Sequence, residues 1–181
     1  MPKTIRITGH KTVDENALFK LIREVYQSSP FMSEDFDEKF PSFSSFQDFL
    51  QNINKTPGAF LFVALSDDLP AAYLVIEPKQ ASRLKHTAWL NMGVLDVFRG
   101  KGIGNMLVDE AFEKIRDEKT IEIVYLMVRA DNLPAVKLYQ QKGFEIVAKL
   151  EKDTKIGSHY FDGILMRKFA SNLNTSKIKK S

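Results

Sequence analysis

The stretch from Val94 to Gly104 constrains the fold of this chain more than any other. An apolar run ends there in a loop that holds three glycines and two cations, and a helical pattern begins at once. Glycine lets a backbone approach an anion closely, and the N-terminal end of a helix carries partial positive charge. The stretch therefore predicts a strand, a phosphate-binding loop and a helix, with a plain strand-to-helix turn as the alternative.

Two common phosphate loops do not fit this stretch. A dinucleotide fingerprint that begins at Gly100 needs its third glycine at position 105, which is Asn105. A Walker A loop needs Ser or Thr after Gly-Lys, and here Gly102 follows Lys101. The pattern that remains is Arg-x-x-Gly-x-Gly, formed by Arg99, Gly102 and Gly104.

A second segment follows the same order of strand, turn and helix. Residues 121–128 are rich in β-branched residues with apolar side chains on both faces, so we expect a strand covered on both sides. Asn132 or Asp131 would cap the next helix, Pro134 fits its first turn, and Gly143 would end it.

Both segments resemble the diagnostic motifs of the GNAT family of N-acetyltransferases. The family's pyrophosphate loop reads Gln/Arg-x-x-Gly-x-Gly/Ala and follows its fourth strand. Its second motif, Asn-x-x-Ala-x-x-Leu-Tyr-x-x-x-Gly-Phe, is matched in place by Asn132, Ala135, Leu138, Tyr139, Gly143 and Phe144. The resemblance covers most of residues 3–168 and is strongest between Leu90 and Gly143.

The pattern of elements predicts one α/β (α+β) domain over residues 1–170 and a polar, basic, disordered tail at 171–181. The order βααβββαβαββ implies a mixed central sheet of about seven strands with helices on both faces. Residues 28–45 are expected to be irregular. Strands are predicted at 3–7, 59–65, 71–76, 87–95, 121–128, 145–150 and 159–167, and helices at 13–27, 46–53, 102–117 and from 133.

Composition excludes several classes of function. The chain has no cysteine, which removes disulfides, thiolate metal sites and a cysteine acyl-enzyme. The net charge of +3 is matched by three lysines in the tail, at positions 177, 179 and 180, so a nucleic-acid partner is not expected. No apolar run is long enough to span a membrane and the N-terminus lacks a signal-peptide core, so we expect a cytoplasmic protein without membrane contact.

The resemblance implies an enzyme that transfers the acetyl group of acetyl-CoA directly to an amine, without a metal. Tyr139 is the expected general acid, with core packing of its ring as the alternative. Asn132 is expected to cap its helix and to reach the pantetheine arm or a catalytic water. The acetyl-CoA site is expected to comprise Met92, Gly93, Val94, Arg99, Gly100, Lys101, Gly102, Ile103, Gly104, Asn105, Asn132, Ala135 and Tyr139.

Two details of that site are left open. The oxyanion donor is expected to be a backbone N–H near Val94, and Gly93 beside it marks either a bulge or a close approach. Side-chain contact from Arg99 or Lys101 to the phosphates is also open, because backbone amides do most of that binding in the family.

The general base and the acceptor are not assigned. Residues 87–94 carry no carboxylate, so ordered water, Glu34, Asp35 or His86 remain candidates for the base. Residues 28–45, the Asn91 face and the last hairpin are expected to set specificity. Residues 28–45 include five apolar side chains that would form either a pocket wall or core anchors: Phe31, Met32, Phe36, Phe40 and Phe43.

The acceptor is expected to be a small-molecule amine. Protein N-terminal or lysine acetylation and a non-catalytic CoA-binding module are the alternatives. Dimers are common in the family, so a homodimer is left open.

Overall fold

The computed structural model describes residues 4–170, and the predicted tail lies outside them. The seven strands are β1 (Ile5–Gly9), β2 (Phe60–Ser66), β3 (Leu69–Pro78), β4 (Thr87–Val94), β5 (Ile123–Arg129), β6 (Glu145–Ile156) and β7 (His159–Phe169). The α-helices are α1 (Glu15–Ser28), α2 (Phe36–Lys39), α3 (Phe43–Lys55), α4 (Ile103–Glu118) and α5 (Leu133–Gln141). Short 3₁₀ turns lie at His10–Thr12, Ser82–Leu84 and Asp96–Phe98.

The strands form one mixed sheet in the order β1-β2-β3-β4-β5-β7-β6. β4 and β5 are parallel, joined through α4, and the other described neighbours are antiparallel. A tight hairpin turn joins β2 to β3, with Asp67 and Asp68 at φ values of 50° and 64°. Aspartate tolerates this left-handed conformation better than most residues.

A hydrophobic core lies on each face of the sheet. One core packs α4 and α5 against the strands, and the α4 side chains of Ile103, Leu107, Ala111 and Ile115 are buried in it. The other packs α1 and α3 over β2 and β3, with the Phe46 side chain fully buried. The predicted single domain with helices on both faces is therefore the observed fold.

Two predictions about local structure were wrong. The segment at 28–45 contains the short helix α2, which a capping box begins: the Asp35 N–H donates to Glu38 Oε2 at 2.9 Å. β5 is covered fully on one face only, since Met127 on the other face is 40% exposed. The second core lies over β2 and β3 and leaves that face of β5 partly open.

Candidate active site

The sheet opens between its two parallel strands. β4 and β5 pair at three positions, from Thr87↔Ile123 to Trp89↔Tyr125. Beyond Trp89, β4 continues to pair with β3 and β5 with β7, so the ladder between them stops within the described residues. A cleft of about 700 Å³ occupies the gap and is lined by residues 90–94 and 127–129. It runs from the α4–α5 face of the sheet to the α1 face.

The glycine loop borders the cleft on the α4–α5 face. Gly100 and Gly102 have φ values of +71° and +79°, which side-chain-bearing residues rarely adopt, and a Cβ at either position would meet no atom within 4 Å. These two glycines are therefore required by backbone conformation. Gly104 has a different role, because a Cβ there would lie 2.8 Å from Leu138 Cδ1 of α5, so the glycine allows close packing of α4 against that side chain.

The first turn of α4 faces the same part of the cleft. Gly102 is the N-cap and offers no side chain to the free N–H groups of the turn. Gly102, Ile103, Gly104 and Asn105, which the family resemblance assigns to the acetyl-CoA site, line the cleft. Free amide groups and the positive end of a 16-residue helix make this turn suited to a pyrophosphate.

The two cations of the loop differ in position. Arg99 lines the cleft, and its guanidinium bonds Asp96 Oδ1 at 2.9 Å and the Val94 carbonyl at 3.1 Å. Lys101 turns away: its Nζ donates to the Val97 carbonyl at 2.6 Å, and it is not among the lining residues. The structure therefore does not bring Lys101 into the predicted site.

Helix α5 supplies Asn132, Ala135 and Tyr139 to the cleft. Asn132 caps the helix as predicted, its Oδ1 accepting the Ala135 N–H at 3.3 Å. The Tyr139 side chain is 7% exposed and packs edge-on against Phe144 at 5.5 Å between ring centroids. Burial raises the pKa of Tyr139, so its phenol keeps its proton at neutral pH. Tyr139 thus belongs both to the core and to the cleft wall.

Met92, Gly93 and Val94 form the β4 edge of the cleft. The β3–β4 ladder passes Gly93 without a shift of register, so the bulge alternative is not found there. The glycine is needed because side chains approach it closely. A Cβ at this position would overlap Val25 Cγ1 and would lie 2.8 Å from Tyr73 Cε1.

On the α1 face, the cleft is bordered by residues that follow α1 and by Asn91 of β4. Phe31 and Met32 line it, whereas Phe36 and Phe40 are buried core residues and Phe43 packs against the same core. The predicted pocket wall therefore consists of Phe31 and Met32, and the other three side chains are anchors.

The three candidate bases are separated by the structure. Glu34 lines the cleft and forms an ion pair with Lys39 at 2.8 Å. Asp35 is the N-cap of α2. His86 lies outside the lining residues, in the turn before β4, where its carbonyl accepts the Glu122 N–H at 2.7 Å. Of the three, Glu34 alone borders the cleft.

Arg129 is a site residue that the sequence did not indicate. Its side chain is 7% exposed and holds Asp131 through two bonds, of 3.0 and 2.6 Å. Nη1 donates to the Pro30 carbonyl at 2.6 Å, and the guanidinium lies 3.6 Å from the Phe161 ring centroid. Arg129 therefore ties the end of β5 to the segment after α1. Phe161 of the last hairpin packs on Arg129, and the Asp162 carbonyl accepts the Ala130 N–H at 2.8 Å, but none of the described hairpin residues lines the cleft.

The geometry agrees with a comparison against known families. A model of the acetyltransferase (GNAT) family matches residues 17–144. The chain belongs to this family. Its members are acetyl-CoA-dependent N-acetyltransferases, and this protein is therefore such an enzyme.

Characterised relatives in the GNAT family act on different acceptors. The chain is 26% identical over 148 residues to the L-amino acid N-acetyltransferase AaaT of Escherichia coli K12, covering 82% of this chain and 90% of that protein. It is 30% identical over 121 residues to an N-alpha-acetyltransferase of Sulfurisphaera tokodaii, covering 62% of this chain and 68% of that protein.

Solved GNAT structures share the whole fold. An acetyltransferase of Streptococcus pneumoniae superposes with a TM-score of 0.82 at 25% identity, covering 93% of this chain and 99% of that one. The yncA protein of Salmonella typhimurium, solved with its cofactor acetyl-CoA, superposes with a TM-score of 0.75 at 13% identity, covering 93% of this chain and 95% of that one.

The GNAT family uses acetyl-CoA, which supplies the acetyl group as a thioester. The residues of this chain fit that molecule: the left-handed glycines and the uncapped turn of α4 suit its pyrophosphate, and the free β4 edge suits its pantetheine amides. Among residues 4–170, no group of three or more His, Asp or Glu side chains is placed to hold a metal. None of the helices in that range is long and apolar enough to cross a membrane.

Proposed function

We propose that this GNAT enzyme acetylates the amino group of a small molecule of the amino-acid class with an apolar side chain. The observation that carries the proposal is the single cleft that crosses the sheet between β4 and β5. The glycine loop and α5 border its donor half, and α1 with the residues after it borders its acceptor half.

The size of the cleft favours a small acceptor. Pockets of 300–1,000 Å³ typically enclose one drug-sized ligand. A volume of about 700 Å³ that must also take the pantetheine arm leaves limited room for the amine. Phe31 and Met32 form an apolar wall there, and Glu34 offers negative charge to an ammonium group.

The roles of the α5 residues are part of the same proposal. Tyr139 is buried, protonated and in the cleft wall, which suits a group that donates its proton to the sulfur of CoA. The Asn132 oxygen caps α5, and its side-chain NH₂ donates to no residue between positions 4 and 170, so it can bind a pantetheine carbonyl or orient a water.

The relatives support two acceptor classes. The amino acid N-acetyltransferase of E. coli matches over 82% of this chain, whereas the N-alpha-acetyltransferase of S. tokodaii matches over 62% at slightly higher identity. A peptide N-terminus is therefore the second candidate.

A panel of acceptors separates the two classes. Free thiol released from acetyl-CoA is measured with L-phenylalanine, L-methionine, spermidine, an aminoglycoside and short peptides that begin with the same amino acids. We expect the highest kcat/KM with the free apolar amino acids. 3-Phenylpropionate, which lacks the amine, is the matched control and should give no thiol above background. A higher kcat/KM for the peptides would overturn the proposal in favour of N-terminal acetylation.

A further inference from the structure

Arg129 lies where three parts of the chain meet beside the acceptor half of the cleft. It stands at the end of β5, opposite Gly163 in the β5–β7 ladder, and its side chain is buried although it lines the cleft. Its guanidinium contacts both Pro30 of the segment after α1 and Phe161 of the last hairpin. A buried cation with these neighbours is placed to control the shape of the acceptor wall.

Two contacts fix the orientation of the guanidinium. Nε and Nη2 donate to the two carboxylate oxygens of Asp131 at 3.0 and 2.6 Å, and the Phe161 ring centroid lies 3.6 Å from Cζ. A planar fork that is bonded along one edge and stacked on a ring has little freedom to rotate. The third nitrogen, Nη1, is therefore held in one place.

Nη1 holds the segment that carries the apolar wall. It donates to the Pro30 carbonyl at 2.6 Å, and the ring of the next residue, Phe31, has its centroid 5.2 Å from Cζ. That distance is within the range of a cation–π contact. Met32 packs against the core under α1 and α3, whereas Phe31 is not among the side chains that pack into either core of residues 4–170. The position of the Phe31 ring therefore depends on Arg129.

We infer that Arg129 is a positioning residue of the acceptor wall. By holding Pro30 and Phe31, it sets the preference of the enzyme for acceptors with an apolar side chain. In this arrangement the Phe31 ring contacts the side chain of the acceptor and not the thioester, so Arg129 acts on acceptor binding rather than on the transfer step. The inference rests on the proposed function in one respect, that the acceptor occupies the half of the cleft that Phe31 borders.

The test compares L-phenylalanine with glycine, which has an amine but no side chain to reach the wall. The measured quantity is the ratio of kcat/KM for the two acceptors in the wild type, Arg129→Met and Arg129→Lys. Both variants should lower the ratio about tenfold, the lower end of what a small apolar contact in a pocket contributes, chiefly through a higher KM for L-phenylalanine. Arg129→Lys keeps the charge but lacks the planar fork, so it should not restore the ratio. The kcat/KM for glycine and the CoA dissociation constant, measured by calorimetry, should stay unchanged.

A double-mutant cycle shows whether Arg129 acts through Phe31. Phe31→Ala alone should lower the ratio by a similar factor. Because both changes remove the same wall, Arg129→Met combined with Phe31→Ala should lower the ratio no further than either change alone. Losses that multiply would show that Arg129 acts by a separate route and would contradict the inference.

Arg167→Met is the matched control. Arg167 of β7 also bonds a carboxylate, that of Glu145 at 3.3 Å, but it does not line the cleft, so this variant should keep the wild-type ratio. A wild-type ratio in either Arg129 variant, or an equal loss of kcat/KM with glycine, would overturn the inference. If Arg129→Met fails to fold, the cycle with Phe31→Ala is run with Arg129→Lys.

The proposed function and the role of Arg129 can fail separately. If the wild-type enzyme prefers peptides, the proposed substrate class is wrong, and the same ratio is then measured with peptides that begin with phenylalanine and with glycine. Loss of that ratio in the Arg129 variants would still support the positioning role, and its retention would refute it.

Discussion

Gly93→Ala tests the packing of the site with the addition of one methyl group. The new Cβ would overlap Val25 Cγ1 and would lie 2.8 Å from Tyr73 Cε1. Both neighbours are buried, Val25 at 1% and Tyr73 at 5% exposure, so the packing around them must shift to take the methyl group. Forcing an extra carbon into a packed core typically costs about 1–3 kcal/mol. We therefore expect the free energy of unfolding of the variant to be about 2 kcal/mol lower than that of the wild type, the middle of that range.

The measurement is urea denaturation followed by circular dichroism and by the fluorescence of Trp89, the single tryptophan of the chain. In thermal unfolding, a loss of about 2 kcal/mol should lower the midpoint by roughly 4–8 °C for a domain of this size. Gly9→Ala is the matched control, because a Cβ there would meet no atom within 4 Å. That control should leave the midpoint unchanged or raise it slightly.

A double-mutant cycle identifies the cause. Val25→Ala removes the Cγ1 atom that the new methyl would overlap. The double variant should therefore lose less stability than the two single variants lose together, by about 1 kcal/mol or more. If Gly93→Ala is as stable as the wild type, or if the two losses simply add, the reasoning from the overlap with Val25 is refuted.

Three further outcomes are expected. Tyr139→Phe should lower kcat about 10²-fold and leave CoA affinity within twofold, since only the proton donor is lost; stopped-flow turnover and CoA titration check this, and unchanged turnover would remove Tyr139 as the acid. Gly102→Ala should weaken CoA binding measured by calorimetry, because alanine is strained at φ +79°. The hydrogen bond from Arg129 lowers the pKa of Asp131, so the pair's contribution to stability is complete above about pH 4, the usual value, and is lost as the pH falls through the lowered folded pKa. Below about pH 4, the thermal unfolding midpoint of Asp131→Asn should therefore fall less steeply with decreasing pH than that of the wild type. The same slope in both proteins would contradict the assignment.

The donor half of the cleft was predictable because its determinants are local in sequence. Gly100 and Gly102 adopt positive φ within one loop, and Asn132 caps the helix that begins at the next residue. Such requirements act through the backbone of a few consecutive residues, so residue type and spacing reveal them. Lys101 shows the limit of that reasoning, since spacing placed it in the loop but its side chain bonds the Val97 carbonyl instead.

The sequence indicated the segment that borders the acceptor half but not the contacts that build it, because those contacts join distant parts of the chain. Arg129 meets the carbonyl of Pro30, 99 residues away, and the approach of Tyr73 to Gly93 depends on the register of β3 against β4. Helix α2 is a single turn of four residues, too short to show a helical period in the pattern of apolar side chains. The strand register and the splay of the sheet decide these contacts, and neither is visible in a local motif.

The donor and acceptor halves of the cleft are stabilised by different interactions, and this difference affects how acceptor specificity can change. The donor half is built from strand ladders and from α4 packed in the core. The segment after α1 is held by few bonds, chiefly Arg129 to the Pro30 carbonyl and the partly exposed pair of Glu34 and Lys39. Exposed ion pairs contribute at most about 1 kcal/mol, so this segment can change sequence at little cost to the fold. Exchange of residues 29–34 for those of a relative should therefore alter the acceptor profile of this enzyme while CoA affinity stays unchanged, and a joint loss of both would show that the halves are coupled.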